Sequence, residues 1–395
     1  MNLRQLFLQH VAQTSDAPLA IHPTHAEGIY IHTEEGEKLM DLISGIAVSS
    51  LGHSHPKIVK AVQEQAEKYM HLMVYGEFVE QPQVKLAEKI CSLLPENLNS
   101  VYFTNSGTEA TEGALKLAKR YTGRTEIISF RDSYHGSTMG ALSVLGDEYF
   151  KSNYRPLVPD CNLINYNDVD ELAKITERTA AVIVEPVQAE WGVRNPHHMY
   201  LTELQDRCND VGALLIVDEI QTGMGRTGSF FRIDNEQLEP DILLLAKAFG
   251  GGMPLGAFIS SSDKMSAFQD NPFLGHITTF GGHPVSCAAA LASLEILMEE
   301  DYISKVEEKG ALFEELLVHP KIKGINRVGL MMALGFDSFE TNKKIIDTCI
   351  KNGVITDWFL FNSESMRIAP PLIITEEQIR EACSIILASI NEAIN

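Results

Sequence analysis

Between Leu214 and Leu245 the chain carries two runs of unbroken aliphatic residues, Leu214–Val217 and Ile242–Leu245. Neither alternates with polar residues, so neither suits a strand with one wet face. Each predicts a short strand covered on both sides, the condition met in a mainly parallel sheet packed between helices. The flanking pattern agrees from about residue 100 to 296. SVYFT precedes a helix over Glu109–Tyr121, IISF one near Ser137–Leu145, and AVIVEP one near Leu201–Val211. PLGAFISS closes the set and is followed by the helix of HPVSCAAALASLEILMEE. Apolar strands alternating with helices predict an α/β fold.

Outside this region the texture differs. GIYIHTEEGEKLMDL reads as a hairpin turning at Glu34-Glu35-Gly36, and a helix is predicted from Pro56 to about Met70, with a second over QVKLAEKICSLL. After residue 300, ISKVEEKGALFEELL predicts a helix, VGLMMALGFD a strand, KKIIDTCIKNG a helix closed by Gly353, and EEQIREACSIILASINEAI a terminal helix. The expected organisation is a large domain over 56–300 and a smaller α+β domain over 301–395. The N-terminal segment 1–55 is expected to pack with the smaller domain.

The 395 residues carry a formal net charge of −21, which disfavours a partner with a phosphate backbone. Six cysteines stand singly with no C-x-x-C pair, the pattern of packed thiols in a cytoplasmic protein. No stretch approaches the roughly 18 apolar residues a membrane span requires. His53 and His55 lack the further ligands of a zinc site, so no metal is expected.

In parallel sheets ligands gather at the carboxyl ends of the strands. Those ends here carry Thr104-Asn105-Ser106-Gly107-Thr108, Glu185, Asp218 and Lys247. Lys247 is followed at once by Ala-Phe-Gly-Gly-Gly, which leaves room beside its amine. A desolvated lysine loses part of its preference for the charged form and can form a Schiff base. For a strand-end lysine taken alone a surface cap is the ordinary reading; its companions reverse that. Asn105 to Thr108 open a helix with small residues whose free N–H groups can face an anion. Tyr134, beside His135-Gly136, supplies a flat apolar face. Asp218 ends an apolar strand and needs a cationic partner, which a protonated ring nitrogen satisfies. Gln221 can offer an amide donor to a ring oxygen. A phosphate cradle, a stacking ring, a carboxylate and a Schiff-base lysine together specify pyridoxal 5′-phosphate (PLP). Gly223-Met-Gly225-Arg-Thr-Gly228 matches G-x-G-x-x-G by letter only. It follows its strand at a distance and opens no amphipathic helix, so no dinucleotide site is expected.

Over essentially its full length the chain resembles the class-III (ω-amino) aminotransferases of the fold-type I PLP enzymes, and within them the acetylornithine and ornithine branch. The resemblance rests on GIAVSSLGHSHP, NSGTEATEGALKLAK, SYHGSTMGALS, VEPVQAEWGV, VDEIQTGMGRTG, LAKAFGGGMPLGA, TTFGGHP and RIAPPL, in that order. It implies a large domain with a mainly parallel, seven-stranded type of sheet. Lys247 would carry the cofactor and later a proton, Asp218 would keep the ring nitrogen protonated, and Gln221 would touch the ring hydroxyl. Gly107 and Thr108 would hold phosphate through the backbone, and Tyr134 would stack on the ring. Thr279 would complete the site of a partner subunit in a homodimer, with Thr278 beside it facing substrate. Arg367 would grip an α-carboxylate as a bidentate fork, and Glu190 would pair with it when none is present.

The implied reaction is transfer of a terminal amino group from an amine or amino acid to a 2-oxo acid. Two positions depart from the family. His283 replaces a common Asn. Ser137 replaces an Arg that usually binds a distal carboxylate, with Lys151 and Arg155 as the nearby cations to consider. Loss of that Arg favours a diamine (putrescine-type) or other ω-amine transaminase, and a 4-aminobutyrate transaminase is a further alternative. A decarboxylase or aminomutase on the same scaffold is the alternative of another reaction class.

Overall fold

The computed structural model describes residues 2–394. Strands are numbered in chain order. The first three are β1 (Pro23–Glu27), β2 (Tyr30–Thr33) and β3 (Lys38–Asp41). Then follow β4 (Ser100–Thr104), β5 (Glu126–Phe130), β6 (Cys161–Ile164), β7 (Thr179–Val184), β8 (Leu214–Asp218), β9 (Ile242–Leu245) and β10 (Gly256–Ser260). The last are β11 (Gly324–Val328), β12 (Met331–Gly335), β13 (Val354–Ile355), β14 (Asp357–Phe359) and β15 (Asn362–Ile368).

Seven strands form the central sheet in the order β4-β10-β9-β8-β7-β5-β6. The run from β9 to β6 is parallel, and β10 is antiparallel to both of its neighbours. Every residue of β7, β8, β9 and β10 is buried, as the unbroken aliphatic runs require. The reversal at β10 follows from its connection. Only Ala246–Leu255 separate it from β9, too few for the crossover helix that a parallel return demands. The chain runs outward from β5 to β6 and then crosses back to β7 on the other side of β5, and ligands of such sheets sit at the carboxyl ends of the parallel strands.

Most predicted helices are present with small boundary changes, including Pro56–Lys68, Gly107–Thr122, Tyr200–Val211 and Pro284–Glu299. The helix expected near Ser137–Leu145 shrinks to Met139–Ser143, because the preceding residues run through a turn shaped by Gly136 at φ 125°. The edge strand β6 carries no clear periodicity in its sequence (CNLI) and was not anticipated.

Two four-stranded sheets complete the chain. One has the order β11-β12-β15-β14; the other runs β1-β2-β3-β13, where β13 pairs in parallel with β3 and so ties residues near 40 to residues near 354. Between β3 and the Pro56 helix, residues Ser44–Ala47 make a left-handed turn with φ of 51°, 58°, 66° and 60°. Left-handed backbone is costly for a β-branched residue such as Ile46. Tertiary bonds hold it: Asp41 accepts the amides of Ile43 and Ser44 at 2.9 and 2.8 Å, and Ser44 Oγ donates to the Ala369 carbonyl at 2.7 Å. His53 pairs with the second oxygen of Asp41 at 2.9 Å. The six cysteines are free. Among the described residues no helix is long and apolar enough to cross a membrane.

Candidate active site

A cavity of about 520 Å³ opens at the carboxyl ends of the central strands. It gathers Gly107, Thr108, Tyr134, Ser137, Asp218, Gln221 and Lys247, residues drawn from four separate strand-to-loop junctions. One wall is the start of the Gly107–Thr122 helix. Its N-cap is Ser106, whose hydroxyl accepts the Glu109 amide at 3.3 Å, so the helix begins two residues before the predicted start. A Cβ on Gly107 would lie 2.8 Å from Ile220 Cδ1 and 3.3 Å from Ala246 Cβ, so a larger residue would crowd this corner. The helix dipole and the first free amides face the cavity there.

Thr108 is braced from behind. Its hydroxyl bonds Thr138 Oγ1 at 2.7 Å, and Thr138 in turn donates to Glu112 Oε1 at 2.6 Å. Glu112 also accepts the Gly140 amide at 2.8 Å. Because a carboxylate only accepts, Thr138 spends its proton on Glu112, and Thr108 spends its own on Thr138. That leaves the Thr108 amide, rather than its hydroxyl, free to donate into the cavity.

Asp218 ends β8 pointing into the cavity, while its neighbour Glu219 points the opposite way, as strand alternation dictates. Glu219 accepts the Ile233 amide at 2.8 Å and the Thr222 hydroxyl. Asp218 Oδ2 lies 2.7 Å from His135 Nδ1, and its Oδ1 accepts the Ile220 amide at 3.0 Å. Behind them Glu185 accepts the amides of Tyr134 and Ala189 at 2.9 and 3.1 Å. Burial pushes the Glu185 carboxyl up to about 7; the His135 ring opposes this and the Asp218 charge reinforces it. His135 Nε2 is buried without a partner.

Lys247 follows β9 with φ 50°, at the start of a tight turn. Burial pushes its amine down to about 8, with the Arg367 charge adding to the fall and Glu190, Asp218 and Glu185 resisting it. An amine at about 8 is partly free at neutral pH, which a nucleophile requires.

Gln221 links this cavity to a charged cluster beside it. Its amide donates to Glu190 Oε1 at 2.9 Å. Glu190 takes Arg367 Nη1 and Nη2 at 2.9 Å each, a fork-to-fork pair with both side chains buried. Burial alone would raise the Glu190 carboxyl, but the guanidinium overrides it and holds it at about 2. Asp357, on β14, contacts Arg367 Nε at 2.9 Å, and its own burial raises it to about 6.

Of the other predicted positions, Ser137 lines the cavity and Thr278, Thr279 and His283 do not. Thr278 accepts from Asn105 Nδ2 at 2.9 Å, while Thr279 is exposed and does not line the cavity. His283 precedes the Pro284–Glu299 helix and stacks on His71 at 5.6 Å. Ser137 lies 3.1 Å from the Tyr134 hydroxyl, and no arginine lines the cavity beside it. Lys151 and Arg155 both pair with Glu148 and are not among the lining residues. Gly223–Gly228 forms turns, and Arg226 within it is buried against the carbonyls of Leu330 and Pro370.

Sequence reasoning missed the roles of His135, Glu112, Thr138 and Asp357. His135 sits inside the block read for Tyr134 alone. Glu112 is one helical turn beyond Thr108, a spacing that marks a shared face. Asp357 had a fainter signal, an acid inside a short apolar run.

The donor set fits PLP: an anion-binding helix start, a carboxylate suited to a ring nitrogen, a flat aromatic face and a lowered amine converge on one cavity. Comparisons with known proteins agree. A family profile described as aminotransferase class-III matches residues 11–390. The chain is 39% identical over 388 residues to the acetylornithine aminotransferase of Methanopyrus kandleri, covering 97% of each protein. The ornithine aminotransferase of Toxoplasma gondii, whose structure has partial occupancy of PLP, superimposes with a TM-score of 0.91 at 30% identity, over 98% of this chain and 93% of that one. The adenosylmethionine-8-amino-7-oxononanoate aminotransferase of Methanocaldococcus jannaschii gives 0.93 at 27% identity, over 100% and 99%. The chain therefore belongs to the class-III aminotransferases, and it is a PLP-dependent transaminase.

Proposed function

We propose that the enzyme transfers the terminal amino group of an ornithine-like donor to a 2-oxo acid, with acetylornithine, ornithine and their close analogues as the donor class. The observation that carries this reading is the buried Glu190–Arg367 pair, joined to the cofactor cavity through Gln221. A site with this pair can serve two substrates in turn. With Glu190 in place the guanidinium is neutralised, and a terminal amine can approach. With Glu190 displaced the same fork takes the α-carboxylate of a 2-oxo acid.

When bound, PLP supplies an electron sink for charge developing at the substrate carbon. Asp218 holds the proton on the ring nitrogen, and His135 orients Asp218. Gly107 and Thr108 receive the phosphate on backbone amides, and Tyr134 covers one ring face. Lys247 Nζ would hold the cofactor and, as a free neutral amine, would take the proton from the donor carbon. Gln221 has a second amide hydrogen for the ring hydroxyl while its first serves Glu190.

We assign Thr279 to the cofactor site of a second subunit in a homodimer. Its loop exposes Phe273, Leu274, Ile277 and Phe280, at 81, 54, 49 and 53% of their surface, an apolar rim suited to burial against another copy. Division of the chain at about residues 55 and 300, and residence in the cytoplasm, belong to the same reading.

The second reading, a diamine or other ω-amine transaminase, is favoured by Ser137. Among the described residues the cavity lining holds no lysine or arginine besides Lys247, so none is left to pair with a distal carboxylate. Half-reaction spectroscopy separates the two. The PLP form is mixed with ornithine, acetylornithine, putrescine, 4-aminobutyrate and β-alanine, and loss of the cofactor's visible band is timed. Fastest bleaching by ornithine or acetylornithine supports the first reading; fastest bleaching by putrescine replaces it with the second.

A further inference from the structure

Arg367 is gripped from two sides that differ in how they can move. Glu190 arrives on the loop after β7, 177 residues away in sequence, and holds the Nη1/Nη2 fork. The other grip comes from Thr356–Phe359, the segment that contains β14, the strand bonded to Arg367's own β15. Asp357 stands directly opposite Arg367 in the antiparallel register, and its Oδ1 accepts from Nε at 2.9 Å. The Trp358 carbonyl accepts from Nη2 at 3.3 Å, and the Phe359 ring centre lies 4.6 Å from the guanidinium carbon. Thr356 Oγ1 donates to the Arg367 carbonyl at 2.6 Å. Directly opposed side chains are held together by the ladder itself, so Asp357 stays where the sheet puts it. Glu190 is no strand neighbour of Arg367: Gln221 Nε2 and the Leu360 amide hold its carboxylate at 2.9 and 3.2 Å, bonds that a change of its own side chain can give up.

From this asymmetry we infer that Asp357 is a positioning residue for α-carboxylate recognition. It holds the guanidinium at Nε, so that the Nη1/Nη2 fork keeps its orientation when an incoming carboxylate takes the place of Glu190. The inference rests on the reading of Arg367 given above. Nε is the one guanidinium nitrogen that a bidentate ligand on the fork leaves unused, so the Asp357 contact and the substrate contact coexist. Without it, the long arginine side chain loses its fixed anchor at the moment Glu190 departs, and each bound carboxylate must restore that order. While Glu190 is in place, the fork is held from the other end and the loss goes unfelt.

The test uses the PLP-loaded enzyme, which has no amino group to give and so binds 2-oxo acids without turnover. Dissociation constants for pyruvate and 2-oxoglutarate are measured by calorimetry for wild type, Asp357→Ala, Asp357→Asn and Arg367→Ala. PLP affinity of the cofactor-free forms and melting temperature are measured alongside. Asp357→Ala is expected to weaken oxo-acid binding about tenfold, with PLP affinity within about twofold of wild type. Asp357→Asn keeps an acceptor for Nε and should restore binding to within about threefold. Asp357→Ser, too short to reach Nε, carries the alanine expectation and replaces that variant if it fails to fold. Unchanged oxo-acid binding in Asp357→Ala or Asp357→Ser, with Arg367→Ala weakened, overturns the role of Asp357 alone. So does an equal loss of PLP and oxo-acid affinity. Unchanged binding in Arg367→Ala, or no oxo-acid binding by wild type, overturns the reading of Arg367 and this inference with it.

Discussion

His135 Nδ1 and Asp218 Oδ2 lie 2.7 Å apart, with both side chains closed to solvent. The contact fixes which way the Asp218 carboxylate faces, and the Ile220 amide fixes its other oxygen. On the proposed role of Asp218, Asp218→Ala removes the charge that keeps the ring nitrogen protonated. Turnover should fall on the order of 10²-fold or more, as when a preorganised electrostatic group is lost, while PLP still binds through its phosphate. His135→Asn should cost about tenfold, since it loosens Asp218 without removing it. Steady-state rates with cofactor affinity measured in parallel check both, and near-normal turnover in Asp218→Ala would show that another group serves the ring.

Lys247 sets a pH dependence whose sign follows from its burial. The amine is held at about 8 rather than the ordinary 10.5, so its free form grows as pH rises through 8. Capture of PLP by cofactor-free protein should therefore quicken about tenfold per pH unit below 8 and level off above it. An unshifted lysine would keep accelerating to beyond pH 10. Glu190→Gln removes a charge that supports the ammonium form and should move the midpoint down. Stopped-flow absorbance reads the rate, and borohydride reduction should fix the cofactor on Lys247 alone.

Thr279 is exposed and does not line the cavity of its own chain, so its assignment to a second subunit calls for a mixing experiment. Lys247→Ala and Thr279→Ala are each expected to be nearly inactive. In a mixed dimer one site carries both defects and the other neither, so activity should partly return. No recovery, with subunit exchange confirmed by mass spectrometry, would mean that each chain completes its own site.

Ser137→Arg tests the missing distal cation. A buried carboxylate without a partner is heavily penalised, so 2-oxoglutarate should bind the wild type poorly relative to pyruvate. The new arginine should lower KM for 2-oxoglutarate and glutamate by about tenfold and leave pyruvate and alanine within about twofold. A low wild-type KM for 2-oxoglutarate that the change worsens would place the distal cation elsewhere.

Much of this site was legible before the fold, for a physical reason. Leu214–Val217 and Ile242–Leu245 are apolar throughout, so they must be buried on both faces, and the polar residue that ends each run must stand at a sheet edge. That logic reaches Asp218 and Lys247 from local sequence alone. It also reaches the start of the Gly107–Thr122 helix, since small residues before an amphipathic repeat are a local signal. The edge strand β6 escaped it, because its four residues have too little periodicity to outweigh their surroundings, and the helix expected near Ser137–Leu145 was reached only in part, as Met139–Ser143.

The tertiary structure alone decided what these groups face. Whether Asp218 meets a histidine, and which acid holds Glu190's arginine from behind, depend on the register of β14 against β15 and on loops far apart in the chain. Register is a property of two strands together, and a one-residue slip would turn Asp357 to the other face. The lowered amine of Lys247 and the raised carboxyl of Glu185 likewise come from burial and from charges brought in by other strands, a sum over space that chain order does not contain. Sequence by itself determined which residue types stand at the strand ends; packing determined their partners, and with them their charge.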